Sequence, residues 1–247
     1  MIKLERAEKP AYLSDEKVLE LTDFFKASGE SVWNHSEIKI PLLASSHEKC
    51  AYCECCISEE SKYMEIEHFR YKDKYKDLVV AWPNLLPSCK RCNIAKLDHD
   101  VEDEPIVNPY EEDPRQHLSF RLFRLRGLTE MGTSTVETLR LNSSERMVMT
   151  RFEIGQQVER SIETAIERLD SYLEKKITVR RNKLINIVET ILQECQPKAI
   201  YSATTATVAL SNPEFLRVIN SMKDHGIWSE ELEVFHKISA TLALPLN

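Results

Sequence analysis

Two C-x-x-C pairs, Cys50-Ala51-Tyr52-Cys53 and Cys89-Lys90-Arg91-Cys92, constrain this chain more than any other feature. Each spacing turns a tight knuckle that aims two thiolates at one ion, and two knuckles complete a tetrahedral four-sulfur site suited to structural zinc. The 35 residues between Cys53 and Cys89 exceed the link of a simple zinc ribbon, so something is inserted between the knuckles. Cys55 and Cys56 are rivals within the first pair, but their spacing from Cys53 suits a knuckle less well, and they are expected to be spare thiols. The competing account is four unrelated buried cysteines. Seven cysteines in all, behind a charged N-terminus without an apolar stretch, point to the reducing cytoplasm, where thiols serve as metal ligands or buried groups. No run of 18 apolar residues suggests a membrane span.

The 247 residues suffice for one large domain or two small ones. Residues 1–45 are expected to form an N-terminal arm and helix. Ser14 serves as the cap of Asp15-Glu16-Lys17, and Val18, Leu19, Leu21, Phe24 and Phe25 supply an apolar face. Residues 46–126 hold six of the seven cysteines, short strand-like pieces and, over 98–115, an acidic extended connector bearing Pro105, Pro109 and Pro114. Ser119–Leu125 alternates and suggests a strand.

Residues 127–247 form a helical C-terminal region. Ile154, Val158, Ile162, Ala165, Ile166, Leu169 and Leu173, then Leu184, Ile187, Val188, Ile191 and Leu192, recur at helical spacing. Two amphipathic helices breaking near Lys175–Arg181, or one long bent helix, both satisfy the pattern. Asn212-Pro213-Glu214 is a further start signal, and helix continues to about Ile238. The fold class is α+β and mainly helical.

Between the knuckles stands Glu65-Ile66-Glu67-His68-Phe69, with alternation placing Ile66 and His68 on one face and Glu67 and Phe69 on the other. Trp82-Pro83-Asn84-Leu85 follows, and then Cys92-Asn93-Ile94-Ala95-Lys96. This order of acid-His, Asn-Leu and C-x-x-C-N-x-x-K over residues 50–97 resembles the HNH endonucleases, the ββα-metal nucleases built on a zinc-bound treble clef. The resemblance implies phosphodiester hydrolysis, with His68 as general base. Glu67 and Asn93 then bind a catalytic Mg²⁺ or Mn²⁺ through oxygen, and Asn84 ties down the His-bearing loop. Two departures stand out: Tyr71 replaces the proline frequent three residues after the His, and Glu67 replaces the usual Asp. Arg70, Lys72, Lys74, Lys90, Arg91 and Lys96 are candidate nucleic-acid contacts, Lys96 alternatively supporting the fold.

A closer resemblance covers residues 50–125, through Glu67-His68-Phe69-Arg70, Trp82 to Asn93 and Val107-Asn108-Pro109-Tyr110-Glu111-Glu112-Asp113-Pro114. It weakens around Leu139-Arg140-Leu141-Asn142. These segments are similar to the PtuB nucleases of Septu-type and retron-associated antiphage systems. That implies a PtuA-type ATPase partner and, in retron versions, a reverse transcriptase with its multicopy single-stranded DNA. It also implies a C-terminal region that docks or dimerises. The chain has no Walker A sequence. A non-catalytic zinc adaptor and a stand-alone restriction- or homing-type nuclease are the alternatives.

Charge bears on the choice. The net charge is −7, yet His68–Lys96 carries seven basic residues against Asp73 and Asp77, while Leu97–Asp113 carries eight acidic residues and no basic one. A basic patch in an acidic chain suits weak binding of nucleic acid alone and a partner that holds the substrate; a merely solvated loop is the simpler account.

Overall fold

The computed structural model describes residues 1–58 and 63–246. They divide into two compact units, one of residues 1–118 and 126–141, the other of residues 119–125 and 142–247.

The first unit starts with helix α1 (Asp15–Ser28). Ser14 Oγ accepts from Lys17 N at 3.2 Å, as the sequence suggests, and Gly29 ends the helix at φ 74°, where a residue without Cβ carries no steric penalty. Val18, Leu21 and Phe25 join the core, but Leu19 and Phe24 of the expected apolar face are exposed. The arm holds a second helix, α2 (Ser36–Ser45), capped by the His35 ring. Strand β1 (Met64–His68) pairs antiparallel with β2 (Leu85–Cys89), with Glu67 opposite Leu86 and His68 opposite Leu85. Helix α3 (Lys90–Lys96) follows β2 directly. Leu13, Phe25, Ile38, Leu42, Ile66, Val79 and Leu85 form one buried cluster, so the arm, both strands and the loop between them share a core.

The acidic connector is not a free linker. It forms turns without a regular element until α4 (Pro114–His117), and Val101, Ile106 and Val107 are buried. Ser119–Leu125, expected as one strand, is instead most of a hairpin of β3 (Leu118–Arg121) and β4 (Arg124–Gly127). Leu122 and Phe123 make the turn at φ 48° and 61°. Both are residues that rarely adopt left-handed backbone, so no turn signal interrupts the alternation. Helix α5 (Glu130–Thr138) completes the first unit.

The second unit centres on α6 (Met149–Glu174), whose Val158, Ile162, Ala165 and Leu169 are buried at helical spacing. The chain breaks at Lys175–Ile177 and resumes as α7 (Thr178–Gln193), which settles the two-helix alternative. Then come α8 (Ser202–Ser211), α9 (Pro213–Asp224) and α10 (Glu230–Leu242). Asn212 Oδ1 caps α9 by accepting from Glu214 N and Phe215 N, with Pro213 first in the helix. The Phe123 ring packs so closely on Gly155 that a Cβ there would lie 2.3 Å from it. Among the described residues no helix is long and apolar enough to cross a membrane.

Candidate functional site

The first knuckle is a turn through Ala51–Cys53, and the second is the junction of β2 and α3. Cys89 caps α3, its sulfur accepting from Cys92 N at 3.5 Å, where the helix terminus favours a thiolate. Cys50, Cys53, Cys89 and Cys92 have all four sulfurs within 4.8 Å of one another, and Cys53 Sγ lies 3.7 Å from Cys89 Sγ. A tetrahedron with metal–sulfur bonds of about 2.3 Å spaces its sulfurs by about 3.8 Å. The cluster can therefore hold a metal ion such as zinc. Cys55 sits against it, its thiol pushed up by hydrogen bonds with Cys50 and Cys53, but is not one of the four. Cys56 faces Ser58 at 3.4 Å.

Beside this cluster, the ladder of β1 ends at His68. A cleft of about 270 Å³ opens there, lined by Glu67, His68, Tyr71, Lys72, Asp73, Asn93, Leu97 and Asp98. Strand alternation separates Glu67 from His68, yet both border this one cleft.

His68 is buried, and its Nε2 lies 2.8 Å from Val79 O. A carbonyl can only accept, so the proton of the neutral ring sits on Nε2 and Nδ1 carries the lone pair. Burial pushes this imidazole down to about 4, which keeps it neutral near pH 7 with its Nδ1 lone pair unprotonated. The Trp33 ring stands against it, centroids 4.6 Å apart and planes at 85°.

Glu67 is 2% exposed, and burial raises its carboxyl to about 7 against the opposing pull of Lys96. Lys96 Nζ lies 2.8 Å from Glu67 Oε1 as a buried ion pair, and this oxygen has no other donor. The same ammonium donates to His68 O at 2.9 Å. Lys96 is thus committed inside the protein and does not face a phosphate; of its two expected roles the structure leaves support of the fold.

Asn93 Nδ2 donates to Glu65 Oε2 at 2.5 Å, and since that carboxylate accepts, Oδ1 remains as the free acceptor of the amide. Asn84 accepts from Arg70 N at 2.7 Å and donates to Arg70 O and Leu78 O, so it laces the segment after His68 to the loop before β2. Arg70 pairs with Glu102 and Lys74 with Asp100, so the acidic connector folds back and neutralises part of the basic patch. Lys72 stays at the cleft beside Asp73, Lys90 is exposed on α3, and Arg91 lies against the Cys92 sulfur at 4.0 Å.

Among known proteins, the chain is 42% identical over 233 residues to the Septu protein PtuB of Bacillus thuringiensis, covering 94% of this chain and 90% of that protein. The chain belongs to the PtuB family. The Septu protein PtuB of Bacillus mycoides is 27% identical over 272 residues, 84% of this chain and 89% of that protein. No family model matches the chain, and no solved structure does. With 94% of the chain aligned, PtuB likeness extends across both units, well beyond the residues that carry the motifs. Sequence reasoning missed two residues of this candidate site in the PtuB-family chain, Glu65 and Trp33. Glu65 stands two positions from Glu67 and pairs with a residue 28 positions away, while nothing near Trp33 marks it in the sequence.

Proposed function

We propose that this chain is a metal-dependent HNH-type endonuclease and the effector nuclease of a Septu-type antiphage system, acting with a PtuA-type ATPase. The observation that carries the reading is the meeting of Glu67, His68 and Asn93 at one cleft beside a four-cysteine cluster. On this reading the cysteines hold zinc as a treble-clef scaffold, and the strand pair with α3 forms the ββα unit. The Glu67 carboxylate and the free amide oxygen of Asn93, both at the cleft, are the hard oxygen donors that would hold a divalent cation, Mg²⁺ or Mn²⁺.

Such a cation supplies neutralisation of charge on the phosphate and on the departing oxygen. The remaining chemistry belongs to the chain. His68 Nδ1 accepts the proton of the attacking water while Nε2 stays bonded to Val79 O, which steadies the imidazolium that results. Lys96 holds the Glu67 carboxylate in place, and Asn84 fixes the loop that presents His68. The partial neutralisation of the basic patch accords with a nuclease that depends on a partner to hold its substrate.

Purified protein with Mg²⁺ or Mn²⁺ is expected to cut DNA or RNA. His68→Ala should lower the rate by about 10³-fold, the usual contribution of a general base, with zinc content unchanged. Equal cutting by wild type and His68→Ala would sink the reading. Metal-independent binding without cleavage, indifferent to Glu67→Ala and Asn93→Ala, would favour the adaptor alternative.

A further inference from the structure

The imidazole of His68 needs more than its bond to Val79. One hydrogen bond at Nε2 pins one vertex of the ring and leaves it free to tilt about that axis. A tilt of the ring moves Nδ1 relative to Glu67 and Asn93, the groups it must work with. The second constraint comes from the segment joining α1 to α2. There the Trp33 ring stands at 85° to the imidazole with centroids 4.6 Å apart, a contact that blocks the tilt on that side.

Trp33 is itself braced. The Phe25 ring at the end of α1 meets it edge-on at 5.7 Å. His35 N donates to Trp33 O at 2.9 Å, and the His35 ring stacks flat on Tyr12 at 4.1 Å, which fixes the segment on the far side. Lys72, a cleft residue, places its ammonium 6.0 Å from the Trp33 ring. The N-terminal arm therefore backs two residues of the cleft, His68 and Lys72, although the motif-bearing stretch starts only at Cys50.

We propose that Trp33 is a positioning residue for His68, holding the imidazole so that Nδ1 faces the reacting water. The proposal rests on the nuclease reading for its consequence in rate, but the orientation of the ring can be measured without catalysis. The test compares wild type, Trp33→Phe, Trp33→Leu and His68→Ala by steady-state cleavage and by ¹⁵N NMR of the imidazole nitrogens. Trp33→Leu keeps apolar cover over the core but removes the flat ring. It should lower kcat about 10- to 100-fold with KM little changed, the cost of a catalytic group displaced by about 1 Å. Trp33→Phe should recover most of that loss. The His68 nitrogens should report one Nε2–H tautomer in wild type and Trp33→Phe, and a mixture in Trp33→Leu. Wild-type kcat and a single tautomer in Trp33→Leu would overturn the proposal, as would loss of zinc in that variant, which would mark Trp33 as a folding residue. If instead His68→Ala cut as well as wild type, or nothing cut, the nuclease reading would fail, and the tautomer signal would still decide whether Trp33 orients the ring.

Discussion

In the first unit the buried positions nearest the cleft are polar, with Glu67, His68, Asn84 and Lys96 all nearly sealed from solvent. The second unit buries Val158, Ile162, Leu184, Val188, Phe215 and Val218, and its own groove, of about 310 Å³, sets Ile154, Val158, Ile191 and Ile200 among polar residues such as Gln157, Thr190 and Glu194. The helical unit is held by apolar area removed from water, a force without direction that tolerates small shifts. Buried ions and amides are stable only with their partners in place, so around the cleft the first unit adds to its apolar cluster a dependence on a few directed contacts and on whatever its four thiols bind. The same contrast separates robustness from chemistry: the polar interior is costly, and it is where the candidate catalytic groups stand.

The largest effect should come from the thiols. Cys89→Ser removes one of four ligands, and structural zinc contributes on the order of 10 kcal/mol to folding. The variant should lose its zinc and the tertiary signal of the first unit while most helical circular dichroism persists. If all signals collapsed together, the two units would not differ in what holds them. Next, Leu184→Ala, at a position 0% exposed on α7, should cost about 2–5 kcal/mol. It should lower the denaturation midpoint and leave zinc content untouched, as elemental analysis would check.

A smaller effect follows from pH. The Glu67 carboxyl is raised to about 7, so below that pH the folded protein holds a proton where the proposed cation would sit. Cation affinity should therefore rise about tenfold per pH unit up to about 7 and then level off, since proton and cation compete for one oxygen pair. Glu67→Gln should flatten that slope in Mn²⁺ titrations. His68, pushed down to about 4, has the opposite sign and stays neutral across this range. The smallest effect is a cap. Asn212→Ala removes two hydrogen bonds at the start of α9 and the one its amide donates to Glu159 Oε2, and should cost about 1 kcal/mol in chemical denaturation, without change in the cleft.

What could be read from the sequence follows the range of each interaction. Knuckle spacing, the Ser14 cap and the helix start at Asn212 depend on neighbours within a few positions, and the structure shows each of them, whereas the choice between a break after α6 and one long bent helix is decided by the structure. The hairpin at Leu122–Phe123 was hidden because its turn uses left-handed residues other than glycine or asparagine. The basic patch looked open because Glu102 and Asp100, which pair with Arg70 and Lys74, lie 32 and 26 positions away. For the same reason the sequence leaves Lys96 undecided between a phosphate contact and support of the fold, since its partners stand 28 and 29 positions upstream in β1. At the candidate site the residue types were legible, but the shared cleft of Glu67 and His68 and the contact with Trp33 required the folded chain.

The order of the cysteines along the chain also dictates a chronology. Glu67, His68 and Asn84 all lie between the first knuckle and the second, inside the loop that Cys89 and Cys92 close. A ribosome releasing this polypeptide exposes the acid and the imidazole long before the sulfur clamp can form, and Asn93 and Lys96 emerge after its last ligand. On the proposed nuclease reading, a partly synthesised product would carry Glu67 and His68 without the frame that aligns them, and the site would be complete only after the second knuckle and Asn93 have emerged.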